Sequence, residues 1–278
     1  MPAPDAISPE KLAKLIGTPK CPVLLDVRRE EVRAADPRLL PGARALPDAA
    51  LTPEALGRIA AEARGPIVVY CAEGHRLGQG AAALMRAEGA AAEYLEDGFE
   101  GWKAAGLPLV DLSKVTARDA AGRSLWVTRS RPKIDRIACP WLIRRFVDPS
   151  ARFLFVAPAE VEGVAERFGA APFDIEGAFW SHRGAACAFD VMIDEFGLGT
   201  EPLLGLAAIV RGADTGRLDL APEAAGLLAV SLGLSRMFAD DLAQLEAGMA
   251  IYDALYRWRR DATSETHNWP SNRVGAAA

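Results

Sequence analysis

The stretch that most constrains this chain is a run of four apolar residues, Ile67-Val68-Val69-Tyr70. It passes without a spacer into Cys71-Ala72-Glu73-Gly74-His75-Arg76 and then into a helix-compatible segment at 77–89. A short unbroken apolar run reads as a strand buried on both faces, as the strands of parallel sheets are. The carboxyl end of such a strand is where open α/β sheets bind ligands, and the next helix points its unpaired N–H groups at the same place. The flanking sequence supplies the rest of a sheet. Apolar VLLDV at 23–27, a helical stretch at 52–64, AAEYL at 91–95 and a helix at 99–105 alternate as strands and crossover helices do.

The loop residues suit chemistry on an anion. A cysteine at this strand end has its thiolate stabilised by backbone donors, by the helix dipole and by Arg76, so Cys71 is the candidate nucleophile. Gly74 lets the loop take a positive φ as it curls round the sulfur, and Arg76 offers a planar, permanently charged fork to an oxyanion. His75 either tunes the loop or is simply solvated. Asp26 and Arg28, at the end of the neighbouring apolar run, are read as support for the loop.

With these motifs in order, residues 23–110 resemble a rhodanese domain, the persulfide-forming sulfurtransferase module. LLDVR at 24–28 matches the family's acidic strand-end motif, LPGAR at 40–44 its turn, and CAEGHR its active loop. LEDGFEGWKAAGLPL at 95–109 matches its closing signature, with Trp102, Gly106 and Pro108 in register. The resemblance implies that Cys71 carries sulfur, and that Ala72, Glu73, Gly74, His75 and Arg76 hold the transferred sulfur and the donor's oxyanion. It implies a small sulfur donor such as thiosulfate, a thiol acceptor, and no cofactor for this step. Cys71 and Arg76 enclose four residues; phosphatases of the same fold enclose one more, so a sulfur-sized cradle is expected. Leu77, where many members have serine, and Asp97, in place of the first glycine of the usual pair, depart from the pattern and bear on donor preference.

At about 150 residues per domain, 278 residues make roughly two domains. The polar segment 110–124 precedes a change of texture, giving an expected rhodanese-like domain at 1–112, a linker at 113–124, a second domain at 125–262 and a flexible tail at 263–278. The second domain is expected to be mainly α-helical with a few short strands. Extended runs stand at 125–128 and 153–156, and helical periodicity at 160–168, 186–196, 203–211 and 223–232. A longer helix follows Ser235, its expected N-cap, with Phe238, Leu242, Leu245, Met249, Tyr252 and Leu255 as the buried stripe.

Two clusters in this half attract attention. Arg129, Arg131, Lys133, Arg136, Arg144 and Arg145 crowd around one acid, Asp135; Arg131, Lys133 and Arg136 are the expected anion site for chromate or a similar dianion, the alternative being a solvated basic face. Pro140 fits the first turn of a short helix. Downstream, His182, Cys187 and Asp190, with Asp194 on the same face, offer a metal or redox site, the alternative being an ordinary core. Arg211 and Asp214 fit an ion pair at a helix end. RPKIDRIACPWLIRRF, PFDIEGAFWSHRG with CAFD, IVRGADT, LAPEAAGLLAVSLGLSR and YDALYRW make residues 126–260 similar to the chromate-resistance domain of ChrB-type proteins. That resemblance implies chromate resistance or chromate-responsive regulation, with no catalytic residue set to carry over.

Composition narrows the remaining classes. Half the residues are hydrophobic and a quarter charged, which excludes disordered, collagenous and coiled-coil chains. A net charge of −5 disfavours nucleic-acid binding by the whole chain. The four cysteines form no CxxC pair, so reduced thiols are expected rather than a zinc ribbon or a disulfide framework. The N-terminal stretch lacks a secretory apolar core, and the longest apolar runs fall short of about 18 residues, so a cytoplasmic protein without a membrane partner is expected. The expected function is a sulfurtransferase working through a Cys71 persulfide, fused to a chromate-resistance domain. Its rival is a chromate- or redox-responsive regulator that uses the loop as a sensor.

Overall fold

The structure, a computed structural model, describes residues 5–115, 118–119 and 122–265. Its first sheet holds β1 (Ala6–Ile7), β2 (Val23–Asp26), β3 (Arg44–Ala45), β4 (Ile67–Tyr70) and β5 (Ala92–Leu95), all parallel, in the order β1-β5-β4-β2-β3. The helices of this half are α1 (Pro9–Ala13), α2 (Glu30–Ala35), α3 (Pro53–Glu62), α4 (Arg76–Ala87) and α5 (Gly98–Ala104). Thr52 caps α3 by accepting the Ala55 N–H, and Pro53 fills the first turn, where a missing donor costs nothing. β4 lies at the centre with every residue buried, as its unbroken apolar run requires. Its pleat sends alternate side chains to opposite faces: Ile67 and Val69 pack with Leu56, Ala82 and Met85, while Val68 and Tyr70 pack with Leu12, Phe99 and Trp102.

The second half opens with a smaller parallel sheet of β6 (Leu125–Arg129), β7 (Arg152–Val156) and β8 (Ala171–Pro172), in the order β7-β6-β8. Helices α6 (Asp135–Leu142), α7 (Val161–Phe168), α8 (Ala188–Glu195), α9 (Glu201–Asp214), α10 (Ala224–Met237) and α11 (Asp241–Asp261) make up most of the remainder. The fold class is thus the expected one, a parallel-sheet α/β half followed by a mostly helical half with short strands.

Three local expectations are corrected. Pro140 sits inside α6, not in its first turn, and α6 passes directly into a π turn at Ile143–Val147. Ser235 belongs to α10; the cap of α11 is Asp240, whose carboxylate accepts the Ala243 N–H. The stripe of α11 therefore starts later than the spacing implied. Leu245, Met249 and Tyr252 are buried and Tyr256 continues the face, whereas Leu242 is exposed.

Each sheet has a smaller apolar cluster of its own, but the largest one is common to both. Leu12 and Ile16 from the first half share one apolar cluster with Trp141, Phe146 and Tyr256 from the second. Backbone bonds stitch the same seam, from Gly42 N–H to the Phe146 carbonyl (2.6 Å) and from Asp111 N–H to the Phe196 carbonyl (3.3 Å). In the expected linker, Val115 is buried, and Lys114 pairs with Glu195; residues 116–117 and 120–121 of it, and 266–278 of the expected tail, lie outside the described residues. Among the described residues, no helix is long and apolar enough to cross a membrane.

Candidate functional site

Cys71 follows the last residue of β4 and Arg76 opens α4, so the loop between them spans from strand end to helix start. Cys71 is 6% exposed and lies at a cavity of about 380 Å³ lined by Arg28, Arg29, Val32 and residues 71–73 and 75–77. Its Sγ is 3.9 Å from the His75 carbonyl oxygen, so the loop closes round the sulfur. Among the described residues, the N–H groups of Glu73, Gly74, His75 and Arg76 make no hydrogen bond within the protein. These donors and the start of α4 give the cavity a positive lining without a metal. Glu73, His75 and Arg76 are exposed at its rim, and His75 Nδ1 lies 3.2 Å from the Glu73 carboxylate.

The loop is held by its neighbour. The Phe99 and Glu100 N–H groups donate to the carbonyls of Cys71 and Ala72, each at 2.9 Å, and Gln79 Nε2 donates to the Gly74 carbonyl at 3.0 Å. Gly74 has φ +70°, and a Cβ there would meet Asp97 N at 2.7 Å; a side chain at Gly98, φ +56°, would collide with the Cys71 and Ala72 carbonyls. Only glycine permits this approach of two backbones. Asp97 takes φ +54°, a left-handed conformation that aspartate tolerates better than most residues, so the replacement of a glycine leaves the turn in place.

Asp26 and Arg28 form a wholly buried pair at 2.7 Å. Arg28 also donates to the carbonyls of Asp36 (3.0 Å) and Arg38 (2.7 Å) and stacks 3.7 Å above the Phe99 ring. Its five donors are largely spent on the protein, so it fixes β2 to the segment that carries Phe99, beside the loop. Arg29 lines the cavity beside it.

Arg129 and Arg136 meet at Asp174, but the basic residues of the second half do not gather into one site. The Arg131 guanidinium donates to the carbonyls of Phe238 (3.0 Å) and Ser235, and its backbone N–H meets the Asp241 carboxylate, so it clamps the α10–α11 junction. Arg136 donates to the Ser130 carbonyl (2.9 Å) and pairs with Asp174 at 3.2 Å, while Lys133 is half-buried nearby. Arg144 pairs with Glu246 and Arg145 with Asp253. The expected anion site of Arg131, Lys133 and Arg136 is corrected accordingly: both guanidinium groups already end on protein oxygens.

The expected trio of His182, Cys187 and Asp190 is also divided. Cys187 is the buried N-cap of α8, and Asp190 accepts its N–H at 2.9 Å while pairing with Arg211 at 2.6 Å. That removes Arg211 from its expected partner Asp214. His182 turns instead to three carboxylates: its Nε2 is 3.2 Å from Asp214, 3.3 Å from Asp174 and 3.5 Å from Asp135. Asp135 is fully buried; one of its oxygens accepts the Ala188 N–H at 2.6 Å, and the other has no hydrogen-bond partner. Burial, then Asp214 and Asp174, drive the Asp135 carboxyl well above its ordinary range, and burial followed by Asp174 raises that of Asp214. Burial likewise pushes the thiols of Cys139 and Cys187 up, with Asp135 adding to both.

Comparison with known families divides the chain as the two sites do. The rhodanese-like domain model matches residues 8–105, and the model for the C-terminal domain of ChrB matches residues 126–259. Residues 8–105 are thus a rhodanese-like domain and residues 126–259 a ChrB C-terminal domain. Protein ChrB of Cupriavidus metallidurans is 36% identical over 132 residues, 47% of this chain and 39% of that relative, so the match spans well under half of the relative's length. Among solved structures, a rhodanese-related protein from Thermoplasma volcanium is 22% identical, covering 38% of this chain and 96% of that one, with a TM-score of 0.32. A thiosulfate sulfurtransferase from Pseudomonas aeruginosa is 29% identical over 40% of this chain and 20% of that one, also with a TM-score of 0.32.

The rhodanese-like half thus carries a contiguous site, and the ChrB half a dispersed one. Sequence reasoning passed over Arg29, Asp174 and Asp214 as site residues. Arg29 was visible as the second arginine after VLLDV; Asp214 was visible in IVRGADT but was matched to the nearest arginine.

Proposed function

We propose that the rhodanese-like half is a sulfurtransferase that carries one sulfur atom on Cys71. The observation that carries this reading is the Cys71 thiol lying at a cavity whose loop N–H groups are unbonded within the protein and whose rim holds Arg76 and Arg29. Such a cavity accepts a small sulfur oxyanion end-on. The Cys71 thiolate attacks the outer sulfur of a thiosulfate-like donor. A sulfur–sulfur bond forms at Sγ, the donor's own sulfur–sulfur bond breaks, and sulfite leaves with the electron pair. A thiol acceptor in its thiolate form then attacks the outer sulfur of the persulfide and returns Cys71 as a thiolate. The loop donors stabilise charge on sulfur in both halves of the cycle. Fusion to the ChrB half supports a role for this chemistry in chromate or related oxyanion resistance, in the cytoplasm where thiols stay reduced.

Intact-protein mass spectrometry after thiosulfate exposure tests the reading. Wild type gains one sulfur and loses it to cyanide or a thiol, while Cys71→Ser gains none. A folded, reduced wild type that forms no adduct would replace this reading with that of an oxyanion- or oxidant-responsive regulator.

A further inference from the structure

We propose that Asp135, His182 and Asp214 in the ChrB half bind a divalent first-row transition cation. One donor atom from each of the three residues lies within 4.8 Å of the others. The separations resemble a coordination polyhedron more than a hydrogen-bond network. Bonds of about 2.1 Å to nitrogen and oxygen place tetrahedral ligand atoms about 3.4 Å apart, and His182 Nε2 stands 3.2 Å from Asp214 and 3.5 Å from Asp135. A single ring N–H can serve only one of those carboxylates.

A second observation points to a ligand independently of this clustering. Asp135 is 0% exposed; its Oδ2, the oxygen 3.5 Å from His182, accepts the Ala188 N–H at 2.6 Å, and its Oδ1 has no hydrogen-bond partner. A buried carboxylate with an orphaned oxygen is costly and rare, and a cation held by the same carboxylate offsets that cost. The charge balance agrees. Arg129 and Arg136 both reach Asp174 at 3.2 Å, so one carboxylate is already compensated. Asp135 and Asp214 are left facing each other across His182.

The fold presents these groups deliberately. Asp135 is the first residue of α6, preceded by Ile134 at φ +39°, whose N–H is taken by Ser231 Oγ (3.2 Å) and whose carbonyl accepts from Tyr252 Oη (3.0 Å). Asp214 ends α9, and its carboxylate accepts the backbone N–H of Asp135. His182 is 39% exposed on its side chain, so solvent reaches the site from that direction and the ion keeps room for a water or an exchangeable ligand. One imidazole with carboxylates suits Mn²⁺, Fe²⁺ or Zn²⁺ rather than Ca²⁺ or a thiolate-seeking ion. The buried thiols of Cys139 and Cys187 are not required.

The experiment titrates Mn²⁺ into the chelator-treated full chain and follows free ion by electron paramagnetic resonance. Zn²⁺ is measured by calorimetry in the Cys71→Ser background, so that the loop thiol does not compete. Wild type is expected to bind one equivalent of at least one of the two ions. Asp135→Asn and Asp214→Asn should weaken that binding by more than about a hundredfold. Asp135→Asn keeps an oxygen for the Ala188 N–H, and the half-exposed His182→Gln supplies a variant that spares the core; circular dichroism checks both folds. The proposal is overturned if wild type binds neither ion, or if folded His182→Gln and Asp214→Asn bind as wild type does.

Discussion

The loop around Cys71 and the cluster around Asp135 solve opposite electrostatic problems with different materials. The loop gathers donors: its lining is backbone N–H groups and a helix start, with arginines at the rim and a glycine pair to bring two chain segments together. The cluster gathers acceptors: its lining is carboxylates from three separate places in the sequence, converging on one imidazole. An anion site made of backbone needs little charge and little sequence. A cation site made of carboxylates concentrates repulsion, which the protein tolerates only with arginines behind one acid and helix N–H groups on the others.

The sharpest way to break this contrast is to remove the one charge pair that the loop half does bury. Arg28→Met leaves Asp26 unpaired in a site with no solvent, and urea melts should show a loss of about 3–5 kcal/mol. A smaller change would show that the pair is dispensable to the sheet. Gly98→Ala attacks the backbone itself; the collision with the Cys71 and Ala72 carbonyls should cost on the order of 3 kcal/mol and end persulfide formation in whatever remains folded.

A crossed pair of titrations sharpens the contrast at lower cost. Arg76→Ala should weaken thiosulfate binding about tenfold, by the loss of about 1.5 kcal/mol of charged hydrogen bonding, and leave Mn²⁺ binding alone. Asp214→Asn should do the reverse. Equal effects of either variant on both ligands would mean that the two sites are not separate. The cysteines offer a chemical version of the same comparison: at pH 8, iodoacetamide should modify Cys71 and spare Cys139 and Cys187, whose thiols burial pushes up, while Cys21, pushed up to about 11, should react only in strong alkali. Peptide mapping reads the order.

The smallest effect comes from an acid outside both sites. Arg38 holds the Asp36 carboxyl down at about 2, so its contribution is complete above the ordinary value of 3.8 and disappears as pH falls through about 2. The pair is partly exposed, so Asp36→Asn should cost only about 0.5 kcal/mol near neutrality, converging with wild type in acid melts.

Why one site was legible and the other was not follows from how each is built. IVVY followed by CAEGHR states a buried strand, a tight loop and a helix start in ten consecutive residues, so the strand, the nucleophile and the helix could be placed from sequence alone. Most helices of the ChrB half were legible too, because their apolar periodicity is local. Its site was not. Asp135 is one acid in a stretch with many arginines, and the stretch read as positive; those arginines instead bind carbonyls and carboxylates more than a hundred residues away, as Arg131 and Arg145 do. His182 was visible as a ligand type, but its partners arrive from α6, α9 and the segment after β8. The two-residue β8, ending in a proline, lacks any alternation to announce it.

The core shared by Leu12 and Ile16 with Trp141, Phe146 and Tyr256 has a thermodynamic consequence for the whole molecule. Two halves that bury each other melt as one cooperative unit, so a ligand held by either raises the unfolding free energy of both. An ion at the Asp135 cluster would then lower the population of unfolded chain in which the Cys71 loop is open to proteolysis, and an oxyanion in the loop would do the same for the cluster. Each half becomes a stabiliser of the other's fold, through mass action alone and without any change of shape.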